Sequence, residues 1–217
     1  MKDCTELVFI LDRNGSMHGL ESDTIGGFNS LLEKQKAEGL SVLVSTVMFN
    51  QESRVIHDRC DIGTVPPLTL QDYEPAGCTA LLDAIGGAVK HIRNVHRYAR
   101  PEDVPARTLF VITTDGMENA SRHFAADEVR ALIEEQKKAG WEFLFLGANI
   151  DAVETARGFG ISEDRAVDFV ADGIGIKENF RAVEKACLQF ECYRVLSDDW
   201  KKDIADDHRK RSGRSRS

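Results

Sequence analysis

The 217-residue sequence predicts an α/β protein built on one doubly wound, mostly parallel sheet of six strands. Short apolar runs alternate with segments whose apolar residues recur at helical spacing, which is the pattern of strands joined by covering helices. The run 108–113 is apolar or β-branched throughout, as expected for a strand that is buried on both faces. Together these patterns predict a Rossmann-like fold with helices on both faces of the sheet and one antiparallel edge strand.

The N-terminal half is predicted to contain three strands and two helices. The first strand, 7–11, is followed at once by the turn-forming pair Asn14-Gly15. The third strand is expected to be the antiparallel one, because only a short polar turn separates it from the second. The other predicted elements of this half are a helix over 23–38, a strand over 41–49, the edge strand over 54–58 and a helix over about 80–98.

The C-terminal half is predicted to continue the alternation of strands and helices. After the strand 108–113, a helix ends at Gly140, a residue that commonly follows the last turn of a helix. The remaining predicted elements are helices over 125–138, 151–159 and 177–196 and strands over 142–146 and 166–170.

Residues 1–200 are predicted to form a single domain, and 201–217 a basic, disordered tail. The whole chain has a formal net charge of −8, which argues against a nucleic-acid partner except through that tail. The tail holds seven Lys/Arg and only three acidic residues, and its last ten positions contain no apolar residue.

The sequence predicts a cytoplasmic protein that does not span a membrane. Five cysteines is an odd number, and their spacing matches no zinc pattern, so free thiols in a reducing compartment are expected. The first six residues include two acids where a signal peptide would need an apolar stretch, and no apolar run is long enough to cross a bilayer.

Three polar loops are predicted to meet at the carboxyl edge of the sheet, near the point where the strand order reverses. The first loop supplies Asp12, Asn14 and Ser16, the second Thr79 and the third Asp115. All of these side chains carry hard oxygen atoms, which suit Mg²⁺, or alternatively Mn²⁺ or Ca²⁺, and do not suit zinc or copper. Capping and turn hydrogen bonds are the alternative role of the same residues.

The same loops carry a resemblance to the von Willebrand factor type A (vWA) family, in particular to its small bacterial members. DRNGS at 12–16 resembles the family's Asp-x-Ser-x-Ser metal motif, GCTALLDAI at 77–85 its threonine segment, and FVITTDG at 110–116 its strand and aspartate. The resemblance implies a Rossmann-like fold with a metal-ion-dependent adhesion site (MIDAS) that binds proteins. It also implies that Asp12, Ser16 and Thr79 ligate the metal, and that Asp115 does so directly or through water.

One ligand position departs from the family pattern, which has serine where this chain has Asn14. The amide is expected to ligate the metal, to bind a metal-bound water, or to weaken the site. Gly15, Asp83 and Thr114 are predicted to support the ligands from behind; Asp83 lies one helical turn after Thr79 and equally suits a charge in the first turn of a helix.

The favoured hypothesis is a metal-dependent protein-binding module without catalytic activity, whose partner completes the metal coordination with an Asp or Glu. The alternative is a phosphohydrolase resembling the haloacid dehalogenases, with Asp12 as nucleophile and Thr113 or Thr114 binding phosphate. That family has a second acid two residues after the nucleophile, where this chain has Asn14. A metal-free scaffold with the same fold is the third hypothesis.

Overall fold

The structure, a computed structural model, describes residues 3–212. Its regular elements alternate between strands and helices along nearly the whole chain. In chain order they are β1 (Thr5–Asp12), α1 (Glu21–Ala37), β2 (Val42–Phe49), β3 (Ser53–Asp61), α2 (Leu81–Tyr98), β4 (Arg107–Thr114), α3 (Ala126–Lys138), β5 (Glu142–Ala148), α4 (Ala152–Gly158), β6 (Ala166–Phe169), α5 (Gly173–Tyr193) and α6 (Lys202–Ser212).

The six strands form one sheet in the order β3-β2-β1-β4-β5-β6. Every neighbouring pair is parallel except β2 and β3, which are antiparallel. The predicted fold class, including the antiparallel edge strand, is therefore confirmed. The strand order reverses beside β1, because the chain moves from β1 through α1 to β2 on one side and later returns to place β4 on the other.

Apolar residues of each central strand point alternately to two cores, one on each face of the sheet. In β1, Leu7 and Phe9 belong to the core that lies beneath α1 and α5, whereas Val8 and Ile10 belong to the core beneath α2 and α3. Because both faces are covered, all eight residues of β1 are buried. This explains why the central strands are nearly continuous apolar runs in the sequence.

Most predicted elements agree with the structure to within a few residues, and the largest differences lie at two places. The edge strand β3 extends to Asp61, three residues beyond its predicted end, and its pairing with β2 contains register shifts. Helix α5 begins at Gly173, four residues earlier than predicted, because the Asp172 side chain accepts hydrogen bonds from the first turn.

The prediction of a disordered segment from residue 201 is wrong for the part that the structure describes. A short 3-10 helix at Asp198–Lys201 leads into α6, and the side chains of Trp200 and Ile204 are fully buried. Near its end α6 is held by Arg211, which pairs with Asp172 and with Asp207. Residues 213–217 of the predicted tail lie outside the described residues. Within 3–212, no helix has both the length and the apolar character needed to cross a membrane.

Candidate functional site

The loops at the carboxyl ends of β1 and β4 lie side by side, because these two strands pair directly. Asp12 is the last residue of β1, and Asp115 follows Thr114 at the end of β4. This is the position beside the reversal of strand order where open α/β sheets bind their ligands. The structure brings all five predicted ligand residues, Asp12, Asn14, Ser16, Thr79 and Asp115, into one hydrogen-bonded cluster.

The Asp12 carboxylate is almost completely buried, with only 2% of the residue exposed. Its Oδ1 accepts from the Asn14 backbone N–H at 2.8 Å, and its Oδ2 accepts from the Thr114 hydroxyl at 2.6 Å. Burial raises the pKa of Asp12 to about 7, and the nearby charge of Asp115 acts in the same direction, against these hydrogen bonds. A bound cation would offset the burial by stabilising the charged form.

Asn14 lies at the centre of the cluster and uses both ends of its side-chain amide. Its Oδ1 accepts from the Ser16 backbone N–H at 2.8 Å and from the Ser16 hydroxyl at 2.5 Å. Its Nδ2 donates to Asp12 Oδ2 at 3.1 Å and to Thr79 Oγ1 at 2.7 Å. The Ser16 N–H fixes which end of the amide is which, because a backbone N–H can only donate. The amide nitrogen therefore faces two of the predicted metal ligands.

Asp115 is tied to the first loop but retains an unused oxygen. Its Oδ1 lies 2.8 Å from the Ser16 hydroxyl oxygen, whose single proton is shared between this carboxylate and Asn14 Oδ1. Its Oδ2 is buried and has no hydrogen-bond partner. A buried carboxylate oxygen without a partner is costly, so this atom marks a place where a positive group or a donor would be stabilised.

Thr79 is positioned by the loop that follows β4 and by its neighbours in the second loop. Its backbone N–H donates to Asn119 Oδ1 at 2.9 Å, and its carbonyl accepts from the Asn119 N–H at 3.0 Å. The Gly15 N–H donates to the Gly77 carbonyl at 3.1 Å, which joins the first and second loops. Gly77 has φ +73°, a conformation that glycine adopts without strain.

Of the three predicted supporting residues, two lie at the cluster and one does not. Thr114 contacts Asp12, and Gly15 links the loops. Asp83 instead accepts from the backbone N–H groups of Arg122, His123 and Phe124. Although its partial burial opposes ionisation, these three hydrogen bonds lower the pKa of Asp83. Its role here is to hold the chain between β4 and α3 against the start of α2.

Sequence reasoning missed several residues that hold the cluster in place. The Tyr73 hydroxyl donates to the Asp12 carbonyl at 2.5 Å, and Asn149 Nδ2 donates to the Asp115 carbonyl at 3.3 Å. The Glu118 carboxylate accepts from the Leu82 N–H at 2.9 Å and so satisfies the first turn of α2. The polar pair Glu118-Asn119, which begins three residues after Asp115, is a signal in the sequence, whereas Tyr73 lies in a loop with no such pattern.

The oxygen groups of the cluster are of the types that ligate a hard divalent cation, but the Asn14 amide is hydrogen-bonded to two of them. Two carboxylates and two hydroxyls are ligands that Mg²⁺ accepts, and Asp115 Oδ2 has an unused lone pair. Within residues 3–212, no group of three or more His, Cys, Asp or Glu side chains is placed to hold a metal, so the hydroxyls are needed. The Asn14 amide donates to Asp12 Oδ2 and Thr79 Oγ1, so it uses a lone pair on each of two predicted ligands.

The fold and the position of this cluster define a class of protein: an α/β domain with a vWA-like fold. No family model matches the sequence, and no curated protein matches it. Solved structures do match. The vWF domain of the type V pili tip protein Mfa5 from Porphyromonas gingivalis is similar over 91% of this chain and 99% of its own, with a TM-score of 0.62 and 11% sequence identity.

Two further structures show the same fold within longer chains. The PilB minor pilin from Streptococcus sanguinis has a TM-score of 0.61 at 13% identity, over 91% of this chain and 64% of that one. Proximal thread matrix protein 1 from the mussel byssus, in a structure with a zinc-occupied MIDAS motif, has a TM-score of 0.56 at 14% identity, over 84% of this chain. The present chain spans 45% of that protein. At these identities the similarity shows a shared fold.

Proposed function

We propose that this protein is a divalent-cation-dependent protein-binding module of the small bacterial vWA kind. The observation that carries the proposal is the buried, unpaired Asp115 Oδ2 inside a cluster of oxygen ligands at the carboxyl edge of the sheet. Asp12, Ser16, Thr79 and Asp115 would hold the cation, which we propose to be Mg²⁺. Bound there, the cation would supply positive charge that attracts an acidic side chain of the partner.

The surroundings of the cluster support binding of a protein. Met117, two residues after Asp115, is 72% exposed and would offer a partner an apolar contact beside the cluster. We therefore propose a partner that presents an Asp or Glu beside apolar residues. We also propose a cytoplasmic location, which is supported by five cysteines that are all free.

We propose a binding role in preference to hydrolysis of phosphoesters. The second acid that the phosphohydrolase hypothesis requires is replaced by Asn14, whose amide cannot ionise and instead donates to Asp12 and Thr79. The hydroxyl of Thr113 is buried without a hydrogen-bond partner. With MgCl₂ present we expect no hydrolysis of p-nitrophenyl phosphate above that of Asp12→Asn; turnover lost in that variant would favour the phosphohydrolase.

The cation site is tested by thermal unfolding of the full chain with increasing MgCl₂. A ligand at a hundred times its dissociation constant adds about 2.7 kcal/mol of stability, which corresponds to roughly 5–10 °C in the midpoint. Asp115→Asn should remove the shift. Asp61→Asn is the matched control, because Asp61 accepts a backbone N–H two residues later, like Asp12, but lies at the end of β3. Equal shifts in both variants would exclude the proposed ligands.

The partner's chemistry is tested separately with displayed random peptides. Peptides captured in MgCl₂ and released with EDTA should be enriched in Asp or Glu, and replacing the acid by its amide should abolish capture. Enrichment of sequences without an acidic residue would contradict coordination by the partner. A lack of any metal effect would leave the third hypothesis, a metal-free scaffold.

A further inference from the structure

The Asn14 side chain lies between two of the predicted metal ligands and donates to both of them. Asn14 is only 3% exposed, and its Nδ2 lies between Asp12 Oδ2 and Thr79 Oγ1. A side chain at Gly116 would bring its Cβ to 3.1 Å from this nitrogen, so the backbone of the third loop covers it closely. The amide is therefore enclosed on several sides and held in one orientation.

The amide does by hydrogen bonding part of what a cation does by charge. An amide nitrogen carries two N–H donors, and here each points at an oxygen that is a predicted metal ligand. The same lone pairs cannot serve an N–H and a cation at once. Serine, the residue of the family pattern at this position, would present a single hydroxyl and leave at least one of those oxygens without this donor.

We propose that the Asn14 carboxamide is a latch that keeps the cation site closed, and that a cation binds only when the amide leaves Asp12 and Thr79. This inference rests on the proposed function, because it concerns access to the same site. When no cation is present, the latch donates to Asp12 Oδ2 and Thr79 Oγ1 and leaves Asp115 Oδ2 unpaired. It also sets a threshold concentration for the cation, below which the partner is not bound.

The test compares the wild-type chain with Asn14→Ser by calorimetric titration with MgCl₂ and by thermal unfolding in EDTA. Removing two donors, one of them to a carboxylate, should increase Mg²⁺ affinity by about 10- to 100-fold. It should also lower the midpoint in EDTA, because Asp12 and Thr79 lose those hydrogen bonds. Gain of affinity and loss of metal-free stability in the same variant is the signature of the latch.

Asn50→Ser is a closely matched control. Asn50 is 4% exposed, its Oδ1 accepts from the N–H of Glu52 two residues later, and its Nδ2 donates to the Ala76 carbonyl at 2.9 Å. Asn50 directly follows the last residue of β2 and makes the same hydrogen bond to the N–H two residues later as Asn14 does, but it donates to no predicted ligand. Asn50→Ser should lower stability equally with and without MgCl₂ and leave the affinity unchanged.

The possible outcomes separate the latch from the proposed function. Binding in Asn14→Ser but not in the wild-type chain would support the latch and overturn the proposed cation dependence of the natural protein. Equal affinities in both would overturn the latch and leave the proposed function standing. If neither chain binds Mg²⁺, both are overturned.

A second measurement does not depend on the variant's folding. The Asn14 side-chain NH₂ signals of the ¹⁵N-labelled wild-type chain, identified by amino-acid-selective labelling, should shift as MgCl₂ is added, while those of Asn50 stay in place. A bound cation that leaves the Asn14 signals unmoved would contradict displacement of the amide.

Discussion

The Asp12 carboxyl shows how strongly burial controls the chemistry of a single residue in this protein. Its pKa is raised to about 7 by burial, which removes water from around the charge. Three donors from Asn14 and Thr114 work in the opposite direction. The group therefore changes charge near neutral pH, where ordinary aspartates are fully ionised.

This raised pKa predicts a pH dependence of cation binding. The protonated carboxyl is a poor ligand, so Mg²⁺ affinity should rise between pH 6 and pH 8 and level off above that range. In the metal-free protein, the stability of the fold changes with pH in the opposite direction. The neutral carboxyl contributes stability that is fully present below about pH 4 and is lost as the pH rises through 7. Thermal unfolding midpoints measured from about pH 4 to pH 8, with EDTA and with MgCl₂, check both trends.

Asp12→Asn is the control for these pH trends, because it keeps the shape of the side chain and cannot ionise. Its metal-free midpoint should lack the decline that the wild-type chain shows between about pH 4 and pH 7. An identical decline in both proteins would assign the titration to another group.

The types of the cluster residues were readable from the sequence, but their orientations were not. Asp12 and Asp115 follow apolar runs directly, and parallel strands bring such positions to one edge. The direction of the Asn14 amide depends on a backbone N–H at Ser16, whose position exists only in the folded loop. Asp83 was predicted from helical spacing to support the ligands, yet its partners come from the segment after β4.

At the scale of elements, α1 and α5 approach each other closely at a glycine. A Cβ added at Gly27 would lie 2.2 Å from the Cδ2 of Phe180, a buried ring of α5. Gly26, its neighbour in α1, is exposed and would have no atom within 4 Å of an added Cβ. The close packing of α1 on α5 therefore requires a glycine at position 27 and does not require one at position 26.

These two glycines provide a matched pair of substitutions. Gly26→Ala should stabilise the protein by about 0.5–1 kcal/mol, because alanine is the better helix former. Gly27→Ala should destabilise it by about 1–3 kcal/mol, because the added carbon overpacks the contact with Phe180. Urea denaturation of both variants checks the difference; similar effects would mean that α1 and α5 adjust freely.

The helix α6 was missed because little in its own sequence predicts it. Ile204 is its only large apolar residue, and its last turns are charged. It is held in place by burial of Ile204 and of Trp200, which lies just before it, and by the pairing of Arg211 with Asp172. Tertiary contacts of this kind leave no periodic pattern in the sequence, whereas α2 and α3 were predicted from the helical spacing of their apolar residues.

At the scale of the whole molecule, Trp200 joins the C-terminal segment to the body of the domain. Its indole Nε1 donates to the Asp164 carbonyl at 3.0 Å, and its ring belongs to the same core as residues of β6 and α5. Nearby, the Lys201 ammonium donates to the carbonyls of Glu163 and Ala166. The segment is thus held at the start of β6 as well as near the end of α6.

Trp200→Ala should therefore destabilise the entire domain, by about 3–5 kcal/mol, because it empties a fully buried site. Trp200→Phe retains an aromatic ring and loses the hydrogen bond, so its effect should be clearly smaller. Urea denaturation followed by circular dichroism should show one cooperative transition for each protein. If α6 unfolded separately while the rest kept its wild-type midpoint, the C-terminal segment would be an independent attachment.

The packing of α6 beside β6 affects whether two copies of this protein can pair through the edges of their sheets. β6 is a terminal strand of the sheet and pairs with β5 alone, and α6 lies against it with Ile204 in the same core as Val167 and Phe169. A terminal strand left bare is a template on which another chain can add a strand of its own. The Lys201 ammonium donates to the Ala166 carbonyl at the start of β6, and α6 packs beside the strand, so both hinder such pairing. A chain shortened before residue 201 is therefore expected to associate more readily through β6.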